Sequence, residues 1–322
     1  MNLSNLPRLP LVLSPTPLVP APRLSQAIGL EVWFKRDDLT GRGLGGNKVR
    51  TLEYLLGDAQ ASGCDVLVTG AGPQSNWAML AALSARAAEL EPHLVFYGDP
   101  TPASGNLLLT QATGAAIRYT GELDRSSVDP MLGKVADELA AAGRSPYVVP
   151  RGGATPMGCL GYLRATAELL RQLPEAGLDP ATLWVPTGSC GTHAGLLAGA
   201  HWLGWDIELI GVATSRTPEE SQVRVRELAS ATLQLLATDD TALAAPRVLG
   251  GFLGDGYGKV STAGAAAAEL VARTEGIFLD PVFGAKAMAA LVAEARAGNV
   301  QGPVIFLVTG GAPTIFMRGT DL

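Results

Sequence analysis

The stretch Asp37-Asp38-Leu39-Thr40-Gly41-Arg42-Gly43-Leu44-Gly45-Gly46-Asn47-Lys48 lies between an apolar run, Val32–Lys35, and a helical pattern, Lys48–Ala59. Strand, glycine-rich turn and helix in that order form a unit of a parallel α/β sheet, whose ligands collect where strands end and helices begin. Gly41 to Gly46 has the G-x-G-x-x-G spacing of dinucleotide binding. That reading needs an acid at the end of the next strand, and Asp65 stands before the strand Val66–Thr69 instead. A phosphate-loop reading loses its lysine register, because Asn47 intervenes before Lys48, and Val49 replaces the required Ser or Thr. The turn keeps one chemical feature, a lysine at a helix start. The positive end of the helix dipole disfavours an ammonium there. Schiff-base chemistry requires a neutral amine. The bland alternative is a solvated surface lysine.

The same alternation continues outward. Val66–Thr69, Leu94–Tyr97, Ala116–Tyr119, Tyr147–Val149, Leu183–Pro186, Glu208–Val212 and Ile305–Thr309 read as further buried strands. Ser75–Leu90, Leu107–Thr113, Met131–Ala142, Thr155–Leu170, Thr192–Leu203, Glu219–Leu236, Ser261–Thr274 and Ala285–Ala297 read as helices between and after them. The class is α/β, with open, mostly parallel sheets covered by helices. Residues 238–260 are the longest stretch without periodicity and end in Gly254-Asp255-Gly256-Tyr257-Gly258, which marks a functional loop.

Composition bounds the function. At 322 residues the chain is long enough for two domains. Its 39 glycines, about 12% of the chain, point to many tight turns. Lys+Arg 24 against Asp+Glu 30 leaves a net charge of −6, which argues against a nucleic-acid binder. No apolar run has the roughly 18 residues of a membrane span. Met1 to Pro22 is interrupted by prolines and does not read as a signal peptide. Cys64, Cys159 and Cys190 are odd in number and form no C-x-x-C, and with His93, His193 and His201 they give no zinc spacing. Free thiols, no metal and a cytoplasmic location are the expectation.

Three more loops follow strands. Thr69-Gly70-Ala71-Gly72-Pro73-Gln74-Ser75-Asn76 opens a helix, where Ser75 or Asn76 caps it, or both offer donors to a ligand. Pro186-Thr187-Gly188-Ser189-Cys190-Gly191-Thr192-His193-Ala194-Gly195 combines glycines, hydroxyls and a helix start, the components of a phosphate cradle or of a structural turn. It is not a nucleophile elbow, because no G-x-S-x-G is present. Val308-Thr309-Gly310-Gly311-Ala312-Pro313 carries a neutral hydroxyl, Thr309, in what is otherwise a turn. An amine, a Ser-Asn pair, a phosphate cradle and a neutral hydroxyl together suit pyridoxal phosphate, which needs partners for its aldehyde, ring oxygen, phosphate and ring nitrogen.

On these residues the chain resembles the D-cysteine desulfhydrase and 1-aminocyclopropane-1-carboxylate deaminase family. The resemblance rests on Phe34-Lys35-Arg36-Asp37-Asp38-Leu39, Gly45-Gly46-Asn47-Lys48-Val49-Arg50, Gln74-Ser75-Asn76, Thr187 to Gly195, Gly256-Tyr257-Gly258, Arg273 to Ile277, Leu279-Asp280-Pro281-Val282 and Thr309 to Pro313. It implies fold type II of the pyridoxal-phosphate enzymes, like the tryptophan synthase β-subunit. It implies that Lys48 holds the cofactor as a Schiff base and moves the substrate Cα proton. Asn76 bonds the ring oxygen, and Ser75 meets the substrate carboxylate or assists proton transfer. Thr187, Gly188, Ser189, Cys190, Gly191 and Thr192 hold the phosphate, and Thr309 faces the ring nitrogen. Tyr257 serves catalysis at the substrate, in a pocket shared with Gln74, Ser75, Trp77 and Phe283.

Two places depart from the family. Phe283 and Gly284 stand where it has Tyr followed by Glu or Thr, and Trp77 where many members have His. A lost phenol makes cyclopropane ring opening doubtful and points to a changed substrate, the bland alternative being a pair of local packing swaps. The reaction implied is β-elimination from a small, D-cysteine-like amino acid to keto acid and ammonia. The alternatives are β-replacement, racemisation, a cofactor-binding protein without activity, or a nucleotide- or NAD-dependent enzyme using Gly41–Gly46. The expected organisation is a small α/β domain, 54–162, and a large cofactor domain, 1–53 with 163–322, assembled as a homodimer.

Overall fold

The computed structural model describes residues 3–316. Along them run the strands β1 (Leu18–Pro20), β2 (Val32–Arg36), β3 (Val66–Ala71), β4 (Glu91–Phe96), β5 (Ala116–Tyr119), β6 (Pro146–Val148), β7 (Thr182–Thr187), β8 (Glu208–Ala213), β9 (Arg247–Leu249) and β10 (Val304–Val308). The helices are α1 (Pro22–Ile28), α2 (Lys48–Ala61), α3 (Asn76–Ala87), α4 (Gly105–Ala112), α5 (Val128–Ala141), α6 (Pro156–Ala176), α7 (Gly191–Leu203), α8 (Pro218–Leu235), α9 (Thr262–Glu275) and α10 (Gly284–Arg296).

The strands form two sheets, one in the order β1-β2-β10-β7-β8-β9 and one in the order β5-β4-β3-β6. Every named pairing is parallel except that of β1 with β2. The chain begins in the six-stranded sheet, leaves it after β2 to build the four-stranded sheet, and returns at β7. Strands β3, β7 and β10 are buried at every residue, since helices cover both faces of each sheet. Their sequences therefore read as unbroken apolar runs rather than alternating ones. Pro20 and Pro146 lie in the edge strands β1 and β6, while Pro92 and Pro186 lie near the ends of the inner strands β4 and β7.

Helices α2 and α6 pack together, and a buried polar network ties them to the end of β2. Arg50 of α2 donates to Asp37 at 2.8 and 2.9 Å and to Glu168 of α6 at 2.8 and 3.1 Å. Lys35 Nζ donates to Glu168 at 2.6 Å, and the Tyr162 hydroxyl donates to Asp37 at 2.5 Å. This network fixes the first turn of α2, where Lys48 lies.

The expected strands and helices are present, with shifted ends. Helix α6 continues from the expected Leu170 to Ala176, through Pro174, and stops at Gly177 in the left-handed region. Two of the strands and one of the α-helices were not expected. Strands β1 and β9 have three residues each, too few for periodicity. Helix α1 has Pro22 in its first turn and ends at left-handed Gly29, which are recognised start and stop signals.

Candidate active site

A cavity of about 300 Å³ opens between the two sheets, lined by segments that follow the carboxyl ends of their strands. Asn47 and Lys48 come after β2, Gly72 and Ser75 to Trp77 after β3, Pro150 to Gly152 after β6, Gly188 to Cys190 with Thr192 and His193 after β7, and Thr309 and Gly310 after β10. This is where a parallel sheet leaves helix N-termini and free loop amides facing a ligand.

The glycine-rich turn serves the chain itself. A Cβ at Gly45 (φ +75°) would lie 1.7 Å from the Asp38 carbonyl oxygen. Thr40 Oγ1 accepts from the Gly46 amide at 2.8 Å, the Asn47 amide donates to the Thr309 carbonyl at 2.9 Å, and Gly46 bridges Gly310. None of Gly41 to Gly46 lines the cavity. The turn's role is to hold Lys48 at the head of α2, which corrects the nucleotide alternative.

Lys48 Nζ donates to Ser189 Oγ at 3.2 Å. Burial lowers its pKa to about 8. The sulfurs of Cys159 and Cys190 oppose this, yet burial pushes Cys159 up to about 12 and raises Cys190 as well, so neither carries charge at neutral pH. Helix position and burial act in the same direction on this amine.

Ser75 caps α3, accepting from the Ala78 amide at 3.3 Å, and lines the cavity as well. Asn76 lines it too, its Oδ1 accepting from buried Asn106 Nδ2 at 2.6 Å. Gln74 turns the other way. Its Nε2 donates to the Ser104 carbonyl and its Oε1 accepts from the Asn106 amide, both at 3.0 Å, and it is not among the lining residues. It holds the loop rather than facing the pocket. Trp77 is 2% exposed and lines the cavity, its Nε1 donating to Thr69 Oγ1 at 2.9 Å. Its ring needs a glycine opposite, since a Cβ at Gly153 would lie 2.3 Å from Cζ3.

In the third loop, Gly188, Ser189, Cys190, Thr192 and His193 line the cavity, whereas Thr187 and Gly191 stand behind it. Cys190 (φ +76°) occupies the N-cap of α7 with no side-chain cap. The first amides of α7 are thus left to a ligand. Two buried polar atoms near this loop, Thr214 Oγ1 and His193 Nε2, have no partner. Burial lowers His193 to about 4, so it is neutral at neutral pH. Asn47 Nδ2 reaches Thr192 Oγ1 at 2.9 Å and joins the loop to the lysine turn.

Tyr257 and Phe283 meet edge to face at 6.1 Å between ring centres, and both line the cavity. Asp280 accepts from the amides of Val282, Phe283 and Gly284, which fixes Phe283 at the start of α10. Thr309 lines another part of the wall.

Sequence reasoning missed the cavity's arginines, Arg125, Arg151, Arg216 and Arg224, along with Tyr97. Each is a lone residue without a local pattern, and only the folded chain collects them. Among the described residues, no three His, Cys, Asp or Glu side chains gather to hold a metal, and no helix is long and apolar enough to cross a membrane.

A buried amine of lowered pKa, an open helix N-terminus with unpartnered hydroxyl and imidazole atoms beside it, and a hydroxyl on another wall fit an aldehyde cofactor that carries a phosphate. They define a Schiff-base enzyme. Comparison gives the family: residues 9–310 match the pyridoxal-phosphate-dependent enzymes, and the chain belongs to that family. It is 38% identical over 321 residues to a Pyrococcus abyssi protein provisionally named 1-aminocyclopropane-1-carboxylate deaminase, covering 99% of this chain and 96% of that one. It is 39% identical over 323 residues to D-cysteine desulfhydrase of Salmonella typhi, covering 98% and 97%. The crystal structure of an ACC deaminase homologue superposes with a TM-score of 0.92 at 37% identity, over 98% of this chain and 94% of that one. The fold is therefore type II of the pyridoxal-phosphate enzymes, and the cofactor is pyridoxal phosphate.

Proposed function

We propose that the chain catalyses β-elimination from a small amino acid, with D-cysteine as the reference substrate, giving a keto acid and ammonia. The observation that carries this is the Lys48 amine, lowered to about 8 and set in a cavity bounded by the open N-terminus of α7. Similarity to a D-cysteine desulfhydrase over nearly the full length supports the substrate class.

Bound pyridoxal phosphate supplies an electron sink for the bonds at the substrate Cα. The side chains of this protein do the rest. Lys48 would hold the cofactor through its amine and would take the proton from the substrate Cα. Ser75 and the first amides of α3 hold the substrate carboxylate, and Asn76 bonds the cofactor's ring oxygen. The loop from Thr187 to Thr192 holds the phosphate through amides and hydroxyls, with Thr187 and Gly191 shaping it from behind. Thr309 presents its hydroxyl to the ring nitrogen. Tyr257 acts at the substrate, with Trp77 and Phe283 as pocket walls. Residues 54–162 form a small domain that closes on the remainder, 1–53 with 163–322, and excludes water during reaction. The protein works as a homodimer in the cytoplasm.

The test is the visible spectrum of the purified protein before and after D-cysteine, with keto acid and ammonia assayed alongside. The wild type should show the chromophore of lysine-bound cofactor, respond to the substrate and release both products. Replacement and racemisation would perturb the chromophore without that release. Lys48→Ala should stay folded and lose both the covalent chromophore and turnover. Full turnover by Lys48→Ala would refute the mechanism.

A further inference from the structure

We infer that Arg125 and Arg216 form a second anion site in the cavity, and that the true substrate is an amino acid whose β-carbon carries a tetrahedral oxyanion as its leaving group. This rests on the elimination reading above and narrows its substrate.

Four guanidinium groups line the cavity, against two carboxylates, Asp124 and Asp129. Asp129 is taken by Arg151, with contacts of 2.7 to 3.1 Å. Asp124 accepts from the Ser126 amide at 2.9 Å and the Ser126 hydroxyl at 2.6 Å. Among the described residues, Arg125, Arg216 and Arg224 form no direct ion pair, although Arg125 lies near enough to Asp124 to lower its pKa, after the Ser126 hydrogen bonds and Arg151. Arg125 donates to the Ser215 carbonyl at 3.3 Å, Arg216 to the Gly188 carbonyl at 2.7 Å, and Arg224 to the Ala154 carbonyl at 3.4 Å. They lie near enough to act on one another: burial first, then Arg224, Arg125 and Arg151, lowers the pKa of Arg216. An anion placed among them removes that repulsion.

Two anions of the reaction already have places. The phosphate has the amides of α7, with Arg224 near the same loop and Arg216 bonded to its Gly188 carbonyl, and the α-carboxylate has Ser75 and the start of α3. Neither uses Arg125. It comes from the loop after β5 and crosses to Ser215, in the loop after β8, while its guanidinium lies 5.2 Å from the ring centre of Tyr257. Arg216 adjoins Ser215 in that second loop. The two cations thus come from different sheets and both lie near enough to act on Tyr257, with Arg216 also bonded to the Gly188 carbonyl of the phosphate loop. Guanidinium forks suit tetrahedral oxyanions. A neutral thiol would leave both unmatched. Phe283 bears on the same point. With no hydroxyl there, the cavity has one proton donor fewer, and sulfite or phosphate departs as a stable anion without one.

The chemistry balances. The Cα–H bond breaks and its proton passes to the Lys48 amine, while the bonding pair becomes the second bond between Cα and Cβ. The bond from Cβ to the leaving group breaks, and its electron pair goes with the anion. The released 2-aminoacrylate takes up one water, giving pyruvate and ammonium. Net, 3-sulfoalanine and water give pyruvate, ammonium and hydrogen sulfite. O-phosphoserine and water give pyruvate, ammonium and phosphate.

The experiment uses the holoenzyme and both enantiomers of 3-sulfoalanine and of O-phosphoserine, compared with D-cysteine. Pyruvate measures turnover, and sulfite or phosphate identifies the leaving group. At least one anionic substrate should exceed D-cysteine in kcat/KM by about tenfold or more. Arg125→Gln should remove that preference, mainly through KM, and Arg125→Lys should restore part of it. A wild-type preference for D-cysteine over all four anionic substrates overturns the proposal, as does an Arg125→Gln loss equal for both kinds of substrate. Inorganic sulfate, titrated calorimetrically into the holoenzyme, reads the site without turnover and should bind Arg125→Gln about tenfold more weakly. Arg125-dependent sulfate binding with no turnover of any amino acid keeps the anion site and defeats the elimination reading. Turnover of D-cysteine with no sulfate binding defeats the anion site alone.

Discussion

At the scale of single residues, Lys48 joins a reactive group to a backbone position that favours its reactive form. An ordinary lysine titrates at 10.5, whereas burial brings Lys48 to about 8. Uptake of pyridoxal phosphate by the apoprotein needs the neutral amine, so its rate should rise as pH climbs through about 8 and level off above. Stopped-flow absorbance of the visible chromophore measures this directly. A rise deferred to the range of an unperturbed lysine would mean that burial does not tune the amine. Lys48 was legible in the sequence because its turn is local: glycines, a helix start and a lysine within a dozen residues. Gln74 was misread because its neighbours suggested a pocket, while its bonding partners, Ser104 and Asn106, lie thirty residues away in the chain.

At the scale of elements, the aperiodic stretch before α9 depends on a residue in another helix. Lys286 of α10 is buried and donates to the carbonyls of Leu253 at 2.8 Å and Gly256 at 3.1 Å, on either side of a turn that leads to Tyr257. Tyr257 itself is 38% exposed, with its ring held by Phe283 and Arg125. Lys286→Met should leave two carbonyls without a donor, at about 1–3 kcal/mol each where water does not replace it. The expected result is a lower melting temperature, faster proteolysis between Gly251 and Gly258, and a KM that rises more than kcat falls. Unchanged proteolysis would show that the loop holds its shape unaided. Nothing near Lys286 in the sequence announces this contact.

At the scale of the whole molecule, the network of Asp37, Arg50, Glu168 and Lys35 couples the six-stranded sheet to the helices that carry the site. Burial alone would raise Glu168, but the hydrogen bonds and charges of Arg50 and Lys35 prevail and hold it at about 2. Its contribution to stability is complete above the ordinary carboxyl value of 4.5 and is lost as pH falls towards about 2. Arg50→Met leaves Asp37 and Glu168 buried with one cation fewer, which should cost about 3–5 kcal/mol at neutral pH. Denaturant unfolding of the holoenzyme as a function of pH measures this. The gap between wild type and variant should narrow as pH falls from 4.5 towards about 2, because the wild type then loses what the variant already lacks. A gap independent of pH would show that packing, not charge, is the source of the loss.

The sequence by itself determined the class of the fold, the main strands and helices, and the four loops on which the family resemblance rests. These are short-range properties. A buried parallel strand declares itself by an apolar run, and a strand-to-helix turn by glycine and hydroxyl residues within one segment. Only the tertiary structure decided which of those residues share a cavity, that Gln74 faces away from it, and that Thr187 and Gly191 stand behind its wall. It alone gathered the arginines, drawn from the loop after β5, the segment after β6, the loop after β8 and helix α8. An isolated arginine in a loop has no periodicity and no fixed spacing to a partner. Its meaning comes from charges that lie close in space and far apart along the chain.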